Sequence, residues 1–159
     1  MAYTERLNEQ LAIVSTIDPD AYTVGATTTT TLTGDVIDMS TSHRVMYIIM
    51  VGTLPAQSAI DFNVYSATGS TTGTNTTTAL TSITALGNAD DDEQVVVEIE
   101  GQDLADGYRY LVSNLTVGNT GAGTLTCDLA MVALADTERY KPASANHPDL
   151  ASVSEIVNA

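Results

Sequence analysis

The chain predicts an all-β fold, two antiparallel sheets packed face to face, on three observations. Threonine occurs in runs, at 27–31 and 76–78, and this β-branched residue is stiff at χ1 and suits a half-exposed strand better than a helix. From about residue 28 onward, seven or eight short apolar or alternating segments follow one another, separated by polar turns with almost no helical pattern between them. The 43% apolar content is enough for one core in 159 residues, although with no Trp and a single Phe that core must be built from Val, Ile, Leu, Met, Ala and Tyr. Sheet packed on sheet is the arrangement that covers such strands.

Taken in order, 3–14 places Tyr3, Leu7, Leu11 and Val14 at helical spacing before Asp18-Pro19-Asp20. Residues 1–27 are therefore expected to form an arm or a short helix. The sandwich is expected over 28–135. Its first strand is the threonine-rich 30–39. The next, 44–53, is apolar on both faces, so it should be central in its sheet and covered on both sides, by the second sheet and by an arm or a neighbouring subunit.

The segment 59–67 alternates Ile60, Phe62 and Val64 against Asp61, Asn63 and Tyr65, the pattern of a half-buried strand. A polar loop over 68–77 leads to a strand at 78–86 and a second loop ending in Asp90-Asp91-Asp92. In 93–100, Val95, Val97 and Ile99 point one way, with Gln94, Glu98 and Glu100 on the other. The strands 108–117 and 124–135 are expected to pair as a hairpin around the glycine-rich 118–123. After these, 136–159 changes character. Pro142 and Pro148 bracket a polar stretch, and Leu150, Val153, Ile156 and Val157 follow at i, i+3, i+6 and i+7. Apolar residues on such a C-terminal arm, which could span at most ~80 Å if extended, are most simply explained if the arm lies on a neighbour.

Twenty acidic residues against five basic ones give a formal charge of −15, which repels phosphate backbones and anionic membranes. No nucleic-acid or membrane partner is expected. Cys127 is alone, so no intramolecular disulfide can form, and mid-strand it reads as a small buried hydrophobe. The start, Met1 to Arg6, lacks the features of a secretory signal, which leads to the expectation of synthesis in the cytoplasm.

The chemistry-bearing residues are sparse. His43 and His147 have no nucleophile motif beside them, and no G-x-S-x-G, H-E-x-x-H or phosphate-binding loop occurs. Asp90-Asp91-Asp92-Glu93 is a dense carboxylate run, but consecutive side chains diverge and the spacing of a calcium loop is missing. Sugar sites lean on flat aromatic platforms, whereas Tyr47, Tyr65, Tyr108 and Tyr110 lie inside strands at core-like positions. No catalytic residue, metal ligand or cofactor is expected, and the chain reads as non-enzymatic.

The arrangement resembles small head-decoration (cement) proteins of tailed bacteriophages. The segments that carry the resemblance are Gly34-Asp35-Val36-Ile37-Asp38-Met39, Asp61-Phe62-Asn63-Val64-Tyr65-Ser66-Ala67 and Gly107-Tyr108-Arg109-Tyr110-Leu111-Val112, within about 28–135. The resemblance implies a jelly-roll-like sandwich, often a homotrimer, that binds the outer capsid surface where major capsid proteins meet. It brings no catalytic residues. On this reading the contacts to a neighbouring subunit or the capsid fall on Tyr3, Leu7, Leu11, Val14, Tyr140, Leu150, Val153 and Ile156. Two other readings stay open: a carbohydrate-binding β-sandwich of a receptor-binding fibre, and a tail-tube or head–tail joining subunit, which would form rings.

Overall fold

The computed structural model describes residues 10–71 and 78–136. Among these residues nine strands run β1 (Leu11–Val24), β2 (Thr29–Thr33), β3 (Ile37–Asp38), β4 (Arg44–Val51), β5 (Ser58–Ala67), β6 (Thr81–Leu86), β7 (Gln94–Glu100), β8 (Tyr110–Asn119) and β9 (Leu125–Asp136). The first sheet has the order β1-β9-β4-β7 and the second β2-β8-β5-β6, with β3 also paired to β8. Every pairing is antiparallel. Counting β2 and β3 as one interrupted strand leaves eight strands that weave between two four-stranded sheets, which is the jelly-roll order. The all-β sandwich expected from the strand pattern is therefore present.

The core lies between the sheets and follows from period-two alternation. In β5, Ile60, Phe62 and Val64 are fully buried while Asp61, Asn63 and Tyr65 are only half-buried. In β4, Val45, Tyr47, Ile49 and Val51 point inward. Tyr47 and Phe62 meet across the sheets with ring centroids 5.4 Å apart, tilted by 59°, a favoured aromatic geometry. Burial raises the Tyr47 phenol well above its ordinary pKa, and among the described residues neither the Tyr47 nor the Ser113 hydroxyl has a partner in hydrogen-bond geometry.

Three expectations are corrected. Leu11 to Val14 do not continue a helix: they open β1, which pairs with β9 from Leu11↔Asp136 to Val24↔Leu125. The sheet therefore begins well upstream of residue 28, because cross-strand pairing outweighs a marginal helical spacing in a run as β-branched as Ile13-Val14-Ser15-Thr16-Ile17. Pro19 is accommodated because β1 is an edge strand with a register shift between Ile17 and Asp20.

The threonine-rich strand is also not continuous. It breaks at Gly34, where a Cβ would lie 2.6 Å from both Ser113 Oγ and Ser15 Oγ, and the Asp35 N–H there donates to Ser15 Oγ at 2.8 Å. Finally, β8 and β9 are not a hairpin. They belong to opposite sheets, and the connection crosses at the buried Asn119, whose side-chain amide donates to Gly25 O at 3.0 Å and Gly123 O at 2.6 Å while its oxygen accepts from Gly121 N at 2.8 Å.

Because Phe62 joins both sheets, Phe62→Ala is expected to destabilise the fold by about 3–5 kcal/mol. Gly34→Ala should cost about 1–3 kcal/mol by crowding the two serines. Chemical-denaturation midpoints measure both, and a Gly34→Ala protein as stable as the parent would show that the break does not need glycine.

Candidate interaction surface

The two outward faces of the sandwich differ in chemistry. On the second sheet, Thr29, Thr31 and Thr33 of β2 run beside Thr116 and Asn114 of β8 and Asp61 and Asn63 of β5. Thr31 Oγ1 and Thr116 Oγ1 share a hydrogen bond of 3.2 Å, and Thr33 Oγ1 donates to Asn114 Oδ1 at 3.0 Å. This hydroxyl- and amide-rich surface is well suited to water. Tyr65 and Tyr110 are half-buried, and so is Tyr108 before β8, so of Tyr47, Tyr65, Tyr108 and Tyr110 only Tyr47 is a fully buried core residue.

The first sheet presents a different outward face. Register places Ile13, Leu134, Met46 and Glu98 in one row, Thr16, Val132, Ile48 and Val96 in the next, and Ala130, Met50 and Gln94 in a third. Eight of these eleven side chains are apolar. Val96 is 60% exposed and Met50 41%, the exposed large hydrophobics among the described residues. Two grooves indent the face. One, of about 520 Å³, is lined by Thr16, Asp18, Pro19, Met50, Ala130 and Val132 among others. The second, of about 160 Å³, lies at the opposite end between Leu11, Arg44, Met46, Glu98, Leu134 and Asp136. An antiparallel sheet that faces water normally carries polar residues outward. This one does not.

Of the residues expected at contacts, Leu11 lines the smaller groove, half-buried. Val14 is 4% exposed and packs in the core, so its side chain is not available to a neighbour. Tyr3, Leu7, Tyr140, Leu150, Val153 and Ile156 lie outside the described residues. The outward row of Met46, Ile48 and Met50 was visible in the sequence only as a strand apolar on both faces, and its continuation through Val96, Val132 and Leu134 depends on register.

A polar cleft of about 670 Å³ sits at the end of the sandwich where β4 begins, lined by His43, Arg44, Glu100, Gln102, Tyr108 and Arg109 among others. Its two guanidinium groups tie elements together. Arg44 donates to Asp136 at 3.1 Å, across the β4–β9 pair, and Arg109 makes two hydrogen bonds to the Asp38 carboxylate, one of them 2.7 Å, while lying 5.3 Å from the Tyr110 ring centroid. In the acidic run, Asp90 accepts from Gly87 N at 2.8 Å and Asp91 from Leu54 N, so both carboxylates hold turns. Cys127 is fully buried and burial raises its thiol pKa. Among the described residues no group of three or more His, Cys, Asp or Glu side chains is placed to hold a metal ion.

The Arg109 hydrogen bonds, opposed by partial burial and helped by the Ser40 N–H, pull the Asp38 pKa down to about 2. Depressed in the folded state, this carboxylate stabilises the fold above about pH 4, and the contribution is lost as pH falls toward 2. Arg109 is half-exposed, so Asp38→Asn should cost no more than about 1 kcal/mol near neutral pH. Denaturation of both proteins at neutral pH and near pH 2 checks this: the difference should shrink in acid, and a constant difference would assign the effect to packing.

No protein-family model matches the chain, and no curated protein matches it. Among solved structures it is similar to the infectious bursal disease virus VP2 subviral particle, at 12% identity and a TM-score of 0.55 over 85% of this chain and 34% of that one. It is also similar to the T=1 particles derived from the same virus, at 13% identity and a TM-score of 0.52 over 84% and 33%. A third similar structure is the virus's Gt strain, at 11% identity and a TM-score of 0.51 over 84% and 33%. The chain spans about a third of the length of these structures. What they share with it is the fold: a two-sheet β-sandwich.

Proposed function

We propose that the chain is a non-enzymatic virion structural protein that binds the outer surface of a tailed-phage capsid and stabilises the head. The observation that carries this reading is the one-sided sandwich: a jelly roll with one threonine- and asparagine-rich face fit for solvent and one apolar face fit for a partner. The similarity in fold to proteins of viral particles supports it. So does the meeting of the start of β1 and the end of β9 at one place, since Leu11 and Asp136 are cross-strand partners.

Its partner is the major capsid protein, and the chain assembles as a homo-oligomer, a trimer by preference. The terminal segments, with Tyr3, Leu7, Tyr140, Leu150, Val153 and Ile156, supply the contacts in the particle. At about 25 cal/mol per Å², a few hundred Å² of apolar burial is worth several kcal/mol before ordering costs. That suffices when many equivalent sites and an oligomer act together.

Quantitative mass spectrometry of gradient-purified particles tests the reading. Hundreds of copies in fixed ratio to the major capsid protein are expected; a handful would point to a tail or fibre part, and none would remove the virion reading. Ending the chain at Asp136, the last residue of β9, should weaken particle binding while leaving the unfolding free energy within about 1 kcal/mol of the parent. A chain that no longer folds would show that the C-terminal segment belongs to the core.

A further inference from the structure

We infer that β7 is a docking edge for a second copy of this chain, the two β7 strands pairing antiparallel about a two-fold axis at Val96. The inference rests on the edge alone and stands whether or not the virion reading holds. A two-fold contact of this kind is separate from the trimer preferred there.

The two sheets have four edge strands, β1 and β7 in the first and β2 and β6 in the second. An edge presents a row of unpaired N–H and C=O groups, and folds commonly blunt it with proline, bulges or a short strand. Three of the four edges here are blunted. β1 holds Pro19 and two register shifts. β6 is shifted against β5 and bends at Ala85, whose φ is 58°. β2 has five residues and stops before the break at Gly34. β7 has none of these devices: its seven residues contain no Gly, Pro or Lys and pair with β4 without a shift.

Hydrogen bonding on the inner side fixes what the outer side offers. Val51 N donates to Glu93 O at 2.9 Å and Gly101 N to His43 O at 2.8 Å, so the odd-numbered residues of β7 bond to β4. Gln94, Val96, Glu98 and Glu100 therefore turn their N–H and C=O groups away from the sheet. The Glu100 N–H is taken, donating to Asp103 Oδ2 at 2.8 Å. The main-chain groups of Gln94, Val96 and Glu98 are left without a partner among the described residues. Their side chains lie on the outward face, where Val96 is 60% exposed.

Side-chain chemistry selects a second copy as the occupant and fixes the register. Centred on Val96, the pair sets Val96 against Val96 and Gln94 against Glu98 of the other copy, with about six main-chain hydrogen bonds, two per bonded pair. The Gln94 amide then donates to the Glu98 carboxylate, Val95 meets Val97 on the inner face, and within 94–98 no carboxylate opposes another. The adjacent registers are worse. Centring on Val97 sets Val96 against Glu98 and needs the Glu100 N–H that Asp103 holds. Centring on Val95 brings Asp92 opposite Glu98, and like charges directly opposite destabilise a pair. The favoured register covers Val96 and joins two four-stranded sheets into one of eight, whose outward apolar rows run on from copy to copy. An overlap of 94–98 buries less than the ~800 Å² per partner of a standard interface. The dimer is accordingly weak, formed at about 100 µM and dissociated at about 1 µM.

The test is disulfide capture on the full chain in about 0.5 M salt, where the Debye length falls to about 4 Å and the −15 charge of each copy is screened. Directly opposed bonded residues have Cα atoms about 5.5 Å apart, within disulfide reach. In a glutathione buffer Val96→Cys should form linked dimers about tenfold faster than Gln94→Cys or Glu98→Cys alone, since each of those positions lies about 13 Å from its own counterpart. An equimolar mixture of Gln94→Cys and Glu98→Cys should regain the fast rate. Cys127 is buried and does not contribute. Val96→Lys, at an exposed position that leaves the core intact, should raise the dimer dissociation constant from sedimentation equilibrium about tenfold. Equal capture at the three positions, or a mixture no faster than its components, would overturn the inference. So would a parent chain that is monomeric at about 100 µM, or self-association that Val96→Lys leaves unchanged.

Discussion

Strand β4 carries apolar side chains on both faces, and most of the architecture can be traced to the need to cover them. Inward, Val45, Tyr47, Ile49 and Val51 meet β5 across the sandwich, where Phe62 packs against Tyr47. Outward, Met46, Ile48 and Met50 stand between β9 and β7, whose own outward residues extend the apolar surface. A central position between two antiparallel neighbours satisfies the backbone of such a strand, but it covers only one of its two faces. The second face lies outside the sandwich core, with Met50 41% exposed.

The opposite sheet shows what the chain does when a face is meant for water. Thr31, Thr33, Asn114 and Thr116 form a polar ladder in which hydroxyls and an amide bond to one another across strands. Here β propensity and solvation are supplied by the same residue type, which is why threonine is so abundant and lysine, with a single copy, is not needed to keep this face soluble. The carboxylates add net charge at the loops and strand ends, where Asp90 and Asp91 also cap turns. The hydroxyl ladder and the apolar rows thus occupy opposite faces, with one carboxylate within each, Asp61 and Glu98.

Much of this was legible in the sequence, and the failures have physical causes. Alternation in Ile60 to Tyr65 and in Val95 to Ile99 reads directly as half-buried strands because a sheet has period two. Strand β4 reads as central for the same reason. The start of β1 did not read correctly: Leu7, Leu11 and Val14 fit a helical stripe, and only the partner strand β9, more than a hundred residues later, decides for extension. The supposed β8–β9 hairpin failed because a glycine-rich turn between two apolar strands has the same local chemistry whether it joins neighbours or crosses between sheets. Asn119, which anchors that crossing, shows its role only once Gly25 and Gly123 are brought beside it. The outward apolar face was half legible, through β4 alone, since the assembly of rows from β1, β9 and β7 is a matter of register.

The placement of the termini gives this asymmetry its consequence. Leu11 and Asp136 are paired, so both ends leave the sandwich at one corner of the sheet whose outer face is apolar, not from the threonine-rich sheet. A jelly roll has no topological requirement for its terminal segments to be apolar, yet the sequences outside this sandwich carry Tyr3, Leu7, Tyr140, Leu150, Val153 and Ile156. The apolar outward face and the corner where β1 begins and β9 ends thus belong to the same sheet, opposite the hydroxyl ladder of the other.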